Sequence, residues 1–327
     1  MADRESLSGP VVFADRFFMT ETSLAEISSL GGYYRAEAKD HLDLAAKIGG
    51  SPSVRVIVSE YVPVNVPVLE QAPGLKGVVA YGAGYDHIDV GALNRRGVQV
   101  CNCRGENAQA VAELTFGLLL CLMRRIHQAD RWVRNGEWKK AGRSLPEWIS
   151  GQELLGKTMG IIGLGQIGSR VSKIAYGFGM EIMSYDPFVK LKFDGDYFSL
   201  GEILARADIL SLHVPLTAMT ERMIDNRFLT AVKPGAILVN TSRGKVIDER
   251  ALFEALKDGR IKGAALDVFS AEPISSEHPF ARMENVLLSP HIGAITQEAG
   301  ERLSDSITRQ VRDILEGRTP ECLIKAE

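Results

Sequence analysis

Six short apolar segments, centred on Ile161, Ile182, Leu210, Leu238, Ala265 and Leu287, recur along the second half of this 327-residue chain with helical stretches between them. Strands joined through helices pair in parallel, because each crossover returns the chain to the same end of the sheet. Such a sheet is covered by helices on both faces, which is why its strands read as continuous apolar runs. The first segment leads into Gly163-Leu-Gly165-Gln-Ile-Gly168, and a helix begins near Gln166. The first glycine permits a tight turn, the second lets backbone approach a pyrophosphate, and the third allows close packing of helix on strand. The start of the helix adds unpaired N–H groups and the positive end of its dipole. A glycine motif between strand and helix, with six strands in the series, indicates a complete dinucleotide-binding sheet.

The second strand, Glu181–Tyr185, ends at Asp186, close to the spacing of about 20 residues at which a carboxylate meets the adenosine ribose. A carboxylate there repels a 2′-phosphate, so the expected cofactor is NAD rather than NADP. The plainer alternative is that Asp186 only starts the turn before Pro187.

Earlier in the chain, strands are expected at Val11–Phe13, Val54–Val58, Gly77–Ala80 and Val98–Cys101, followed by a long helical region from Asn107 to about Arg134. After Leu288 the strand-type segments stop. The stretch from Thr296 to Glu316 has helical spacing, with Leu303, Ile307, Val311 and Ile314 on one stripe. This last helix has no place in the six-strand series, so it is expected to return to the first domain. The length also suits two domains. The predicted organisation is α/β with two Rossmann-like domains. An NAD-binding, doubly wound parallel sheet at 108–293 is inserted into a discontinuous, flavodoxin-like substrate domain made of 1–107 and 294–327.

Composition narrows the function classes. With 38 basic against 41 acidic residues and no dense Lys/Arg run, no nucleic-acid partner is expected. The longest apolar stretch, Leu114 to Met123, is interrupted by Thr115 and Gly117 and is too short to span a bilayer, and the N-terminus carries acids where a secretory signal is apolar. The 4 cysteines include no Cys-x-x-Cys pair, which suits reduced thiols in a cytoplasmic protein without a metal.

Three side chains follow strands of the second series and so stand at the carboxyl edge, where such sheets bind ligands. Arg243 follows Ile237–Asn240, and its guanidinium can fork onto a carboxylate as lysine cannot. His291 follows Val286–Ser289 and Pro290, and the proline restricts the backbone that holds the imidazole. Glu272 stands past another strand end, in Asp267-Val-Phe-Ser-Ala-Glu272-Pro273. A carboxylate bonded to one imidazole nitrogen orients the ring and favours the imidazolium. Alone, Arg243 could equally be a surface arginine and Glu272 a solvated loop acid. Their convergence with His291 suits hydride transfer to a 2-oxo acid, which needs a cation for the carboxylate and a proton for the forming alkoxide. Of the 6 histidines, His41, His87, His127 and His278 carry no motif and read as surface or structural. His213-Val214-Pro215 is expected to line the cofactor site through its backbone.

From roughly Leu75 to Glu316 the sequence resembles the D-isomer-specific 2-hydroxyacid dehydrogenase family. The resemblance is carried by Ala80-Tyr-Gly-Ala-Gly-Tyr-Asp-His-Ile-Asp89, Asn107 with Val111-Ala-Glu113, the glycine motif with Asp186, and His213-Val-Pro-Leu216. Further on it is carried by Asn240-Thr-Ser-Arg243-Gly244, Ala264-Ala-Leu-Asp267-Val-Phe269 with Glu272-Pro273, and Ser289-Pro-His291-Ile-Gly293.

The resemblance implies that Arg243 holds the substrate carboxylate and that His291 is the acid in reduction and the base in oxidation, with Glu272 as its partner. Asp267 would contact the nicotinamide carboxamide and Gln166 and Ile167 the pyrophosphate, with Thr241, Ser242, Arg243, His291 and Gly293 also at the cofactor. Tyr81, Gly82 and Ala83 would offer backbone N–H groups to the substrate near Asn107. Family members are homodimers built through the long helices of the cofactor domain. In relatives acting on glyoxylate or hydroxypyruvate, a tryptophan matching Trp138 reaches into the partner subunit's site, although Trp132 or Trp148 could equally be that anchor. Tyr81 departs from the Ser or Arg common in the family, and its phenol is expected to reshape the pocket. Ser59-Glu60-Tyr61-Val62 lacks the arginine that phosphoglycerate-oxidising relatives use. The substrate expectation is therefore a small unphosphorylated acid such as glyoxylate, hydroxypyruvate or glycerate, with 3-phosphoglycerate left open through Lys139, Lys140 or Arg143 of a partner. Formate- or phosphite-oxidising relatives use glutamine opposite the histidine, and Glu272 argues against formate chemistry. The alternative of another class is an NAD-sensing corepressor-like interaction protein of the same fold.

Overall fold

The computed structural model describes residues 10–188 and 198–326. The chain divides into two compact units, Met1–Asn107 with Ala294–Glu327, and Ala108–Gly293.

In the first unit, β1 (Val11–Phe13), β2 (Tyr33–Arg35), β3 (Val56–Ser59), β4 (Gly77–Ala80) and β5 (Gln99–Asn102) pair in parallel. Their order, β5-β4-β3-β1-β2, is the flavodoxin-like one. Side chains alternate between faces along each strand. Val11, Phe13, Val56, Val58 and Val79 therefore pack in one apolar layer, and Val12, Ile57 and Val78 in the other. The Gln297–Leu315 helix, capped by Thr296, buries Leu303, Ile307, Val311 and Ile314 in the first of these layers. It lies so close to β4 that a Cβ on Gly77 would come within 2.6 Å of Ile314.

In the second unit six strands are all parallel: β6 (Thr158–Ile162), β7 (Glu181–Tyr185), β8 (Ile209–Leu212), β9 (Ala236–Asn240), β10 (Ile261–Leu266) and β11 (Val286–Leu288). The order β11-β10-β9-β8-β6-β7 reverses direction between β6 and β8. Ligands of open parallel sheets bind outside the strand ends at such a reversal. The Ala108–Met123 and Gln166–Gly177 helices cover one face, and the Asn226–Ala231 and Glu249–Lys257 helices the other.

Local detail differs from expectation in several places. The helical run from Asn107 to Arg134 is two helices, Ala108–Met123 and Ile126–Arg134, because Arg125 adopts φ +54° and ends the ladder. Two strands went unpredicted. β2 is a half-buried edge strand of three residues, and the two-residue β12 (Leu323–Ile324) runs antiparallel against β5. Cys103 lies beyond the end of β5, and all four cysteines are free thiols. Among the described residues no helix is long and apolar enough to cross a membrane.

Candidate active site

The glycine loop between β6 and the Gln166–Gly177 helix assigns each glycine a separate task. Gly163 sits at φ +94°, and a Cβ there would lie 2.4 Å from the carbonyl oxygen of His213. A Cβ on Gly168 would lie 2.0 Å from the carbonyl oxygen of Gly163, so helix and loop touch at backbone distance. Gly165 is different: it occupies the N-cap without a side-chain cap, and a Cβ there would meet nothing within 4 Å. An open cradle in front of an uncapped helix start fits the pyrophosphate of a dinucleotide. Gln166 begins that helix and accepts a bond from Arg170, and Ile167 packs into the core below. Asp186, past the end of β7, folds back to this loop: its Oδ2 accepts from Leu164 N at 2.9 Å and its Oδ1 from Phe188 N at 2.9 Å.

At the end of β8 the His213 ring has its Nε2 2.7 Å from Ser211 Oγ, while Nδ1 is buried with no hydrogen-bond partner. Burial pushes its pKa down to about 3, so the ring stays neutral. Its carbonyl lies against Gly163, Val214 is half-buried beyond it, and the carbonyl of Pro215 accepts from Thr220.

Asn240, the last residue of β9, builds the loop that carries the arginine. Its Oδ1 accepts from Ser242 N at 3.0 Å and Ser242 Oγ at 2.7 Å, and its Nδ2 donates to Arg243 O at 3.0 Å. The Thr241 hydroxyl pairs with Thr115 at 3.0 Å. The hydroxyls of Thr241 and Ser242, expected at the cofactor, are thus committed to holding the loop. Arg243 has extended backbone and donates from Nη1 to Ser242 O at 2.8 Å. Gly244 is pressed against the next loop, since a Cβ on it would lie 1.9 Å from the carbonyl carbon of Phe269.

That next loop follows β10. Glu272 Oε1 accepts from Phe269 N at 2.8 Å, and Oε2 lies 2.7 Å from His291 Nδ1. Burial pushes the Glu272 pKa up. The bonds from His291 and Phe269, with the charges of His291 and Arg243, outweigh this and hold the carboxyl below its usual range. His291 has φ +53°, an unfavoured conformation for a residue with a Cβ. Asp267, at the end of β10 and 1% exposed, holds the chain in it. Its carbonyl accepts from His291 N at 2.8 Å. Its carboxylate accepts from Ser289 Oγ at 2.6 Å, Ile292 N at 3.0 Å and Gly293 N at 2.9 Å. Three strand ends therefore bring Arg243, Glu272 and His291 into one constellation.

In the other unit, one expectation is corrected. Tyr81 was expected to offer its N–H to a substrate, but that N–H donates to Ser59 O at 2.8 Å, because Tyr81 continues the pairing of β4 with β3. Its ring stacks on Phe17 with centroids 4.5 Å apart, and its hydroxyl donates to Phe18 O at 3.1 Å. Gly82, at φ +115°, and Ala83 form the turn beyond, held by Cys103 N on Gly82 O at 2.8 Å and Asn102 Nδ2 on Ala83 O at 2.6 Å. The Oδ1 of Asn107 is buried without a partner, and its Nδ2 lies 3.8 Å from where a Gly82 Cβ would be. Of the three tryptophans, Trp132 and Trp148 pack edge to face at 6.1 Å, and Trp138 is the exposed one.

Sequence reasoning passed over Asp15, whose carboxylate accepts from Ser59 Oγ and from the N–H groups of Glu60, Tyr61 and Val62 at 2.8 to 3.2 Å, shaping the loop after β3. Its position just past the end of β1 was the available signal. Asn240 and Ser289 were quoted as motif members, with no hint of their partners. Among the described residues no His, Cys, Asp or Glu cluster could hold a metal ion.

Residues 116–293 match the family model described as D-isomer specific 2-hydroxyacid dehydrogenase, NAD binding domain. The chain is 41% identical over 269 residues to a glyoxylate reductase of Korarchaeum cryptofilum, covering 81% of this chain and 80% of that one. An NADPH-dependent glyoxylate/hydroxypyruvate reductase from Sinorhizobium meliloti, solved with NADP and malonate, superposes with TM-score 0.86 at 29% identity, covering 97% of each chain. A D-lactate dehydrogenase from Aquifex aeolicus, solved with NAD and lactic acid, gives TM-score 0.82 at 27% identity, covering 97% of this chain and 99% of that one.

Proposed function

Since this chain belongs to the D-isomer specific 2-hydroxyacid dehydrogenase family, and so is an NAD(P)-dependent oxidoreductase acting on small 2-hydroxy acids, we propose that it reduces glyoxylate or hydroxypyruvate with NADH by means of Arg243, Glu272 and His291. The observation that carries this is the 2.7 Å bond between Glu272 and His291 Nδ1, which turns the opposite nitrogen, Nε2, to proton transfer. A dinucleotide held at the glycine loop Gly163–Gly168 would supply the hydride for C2 of the oxo acid, or take it up in the reverse direction. Arg243 forks onto the substrate carboxylate and sets the carbonyl against the ring of His291. His291, entering as imidazolium, gives its Nε2 proton to the carbonyl oxygen as that oxygen gains charge. Glu272 stays ionised, fixes the ring and stabilises the imidazolium. The product is the 2-hydroxy acid, and His291 is left neutral until solvent reprotonates it.

In this reading residues 108–293 hold the cofactor, with Gly163, Gly165, Gln166, Ile167 and Gly168 around the pyrophosphate and Asp186 on the ribose. Asp267 reaches the carboxamide, and Val214, Pro215, Thr241, Ser242 and Gly293 line the site by backbone. Residues 1–107 and 294–327 form the substrate domain, in which the N–H groups of Gly82 and Ala83, with Asn107 beside them, are the candidate substrate contacts. The enzyme is a cytoplasmic homodimer joined through its cofactor domains, and Trp138 extends toward the partner's site. The preference for a small acid is supported by the names of the relatives and by the missing arginine in 59–62.

The test is steady-state turnover of NADH with glyoxylate, hydroxypyruvate, pyruvate and phosphohydroxypyruvate. Glyoxylate or hydroxypyruvate is expected to have the highest kcat/KM, and His291→Asn to lose about three orders of magnitude in kcat. A preference for the phosphorylated acid overturns the substrate assignment. Tight NADH binding without turnover of any acid favours a cofactor-sensing role instead.

A further inference from the structure

We propose that Glu249 is a positioning residue for this chemistry, bracing from the first turn of its helix the loop from which Glu272 reaches His291. The inference rests on the role assigned above to the Glu272–His291 pair.

The helix Glu249–Lys257 starts soon after Arg243, with Asp248 as its N-cap. Glu249 turns toward the loop after β10, where its Oε1 accepts from Ser270 N at 2.8 Å and its Oε2 from Ser270 Oγ at 2.7 Å. Two successive N–H groups of that loop are thus taken by two different carboxylates. Phe269 N goes to Glu272, which faces His291, and Ser270 N goes to Glu249, which faces His278 Nε2 at 3.5 Å. The His278 ring is itself seated against Phe269 and Phe280, with centroids 6.0 and 5.2 Å away. The side chains of Glu249 and His278 are only 22% and 20% exposed, so the bonds to Ser270 are shielded from competing water. The bare Cα of Gly244 also lies against the Phe269 backbone. The segment that carries Arg243 and the helix that follows it therefore both hold the loop.

Bonds from N–H and O–H to a carboxylate are among the stronger ones in a protein. Releasing Ser270 lets Glu272 drift, and a drift of about 1 Å takes a 2.7 Å contact outside hydrogen-bond range. Misplacement on that scale is enough for a rate loss of about a hundredfold. A plain structural anchor would lower the melting temperature and leave proton transfer in the surviving enzyme unchanged.

The experiment compares full-length wild type, Glu249→Ala, Glu249→Gln, Ser270→Ala and His291→Asn. Glyoxylate reduction by NADH is followed across pH, together with the melting temperature and NADH affinity. Glu249→Ala is expected to lower kcat by about ten- to a hundredfold, and to move the high-pH fall of kcat/KM to lower pH, because a displaced Glu272 supports the imidazolium less. NADH affinity stays within about twofold of wild type. Glu249→Gln keeps an acceptor for Ser270 N–H and recovers most of kcat. Ser270→Ala, which removes one bond, gives a smaller shift in the same direction and serves as the reading if Glu249→Ala does not fold. Wild-type kcat and pH profile in Glu249→Ala, or in Ser270→Ala where that variant must stand in, overturn the proposal. So does a lowered melting temperature with an unmoved pH profile. If His291→Asn keeps wild-type turnover, the assignment of the proton donor has failed and the brace falls with it. An inactive His291→Asn beside an unaffected Glu249→Ala overturns the brace alone.

Discussion

Substituting alanine at each motif glycine separates what the fold requires from what the cofactor requires. At Gly165 a Cβ meets nothing within 4 Å, and the backbone φ of −74° is open to alanine. Alanine is a poorer N-cap than glycine by up to about 1 kcal/mol, and it recovers a comparable amount by restricting the unfolded chain. Gly165→Ala is therefore expected to melt within about 3 °C of wild type. At Gly168 the added carbon falls 2.0 Å from the Gly163 carbonyl oxygen, and at Gly163 it falls 2.4 Å from that of His213, with φ +94° adding strain. Both obstacles are backbone, so the loop itself must move. Overpacking of this kind costs about 1–3 kcal/mol or more, a drop of roughly 5 °C or beyond in a unit of this size. The cofactor reverses the ranking. A methyl at Gly165 fills the cradle before the helix start and would lengthen the bonds proposed from its N–H groups to the pyrophosphate. Losing one or two such charge-assisted bonds weakens NADH binding by about ten- to a hundredfold. The assay is thermal melting without cofactor, paired with fluorescence titration of NADH. Gly165→Ala melting as low as Gly168→Ala, or binding NADH as wild type does, would refute the reasoning.

Further outcomes follow from the same geometry. Asp186→Ser removes the carboxylate proposed to meet the ribose and repel a 2′-phosphate, and the ratio of kcat/KM for NADH over NADPH should fall at least about tenfold; a wild type that already prefers NADPH contradicts the cofactor assignment. Because the Glu272 carboxyl is held below its usual range, its ionised form stabilises the fold above the unfolded value of about 4.3, and this contribution is lost as pH falls through the lower folded value. Urea unfolding of wild type and Glu272→Gln should accordingly diverge at neutral pH and converge in acid. Gly244→Ala places a carbon 1.9 Å from the Phe269 backbone, and should lower both melting temperature and kcat by displacing the Glu272 loop; unchanged turnover would show that the loop can give without consequence.

Whatever depends on neighbours along the chain could be read from the amino acids alone. Strands near Ile161, Ile182, Leu210, Leu238, Ala265 and Leu287 were legible because strands of a sheet covered on both faces are largely apolar, and even the edge strand β7 keeps Ile182 and Met183. The last helix was legible because Leu303, Ile307, Val311 and Ile314 recur at its period. The glycine motif and the carboxyl-edge positions of Arg243, Glu272 and His291 follow from the same local order. The tertiary structure decided everything that depends on residues far apart in the chain. Nothing in the spacing says that Asp267 holds His291 in a left-handed turn, or that Asn240 ties Ser242 to Arg243. The same holds for Asp15 gathering three N–H groups of a distant loop, and for the Tyr81 N–H belonging to β3. Arg125 broke the expected helix for a similar reason: helical periodicity continues through a residue whose backbone has turned left-handed, so the break leaves no mark in the pattern. Hydrophobic patterning records which face of an element is buried. It does not record which polar groups meet once the elements are packed, and this site is built from those meetings.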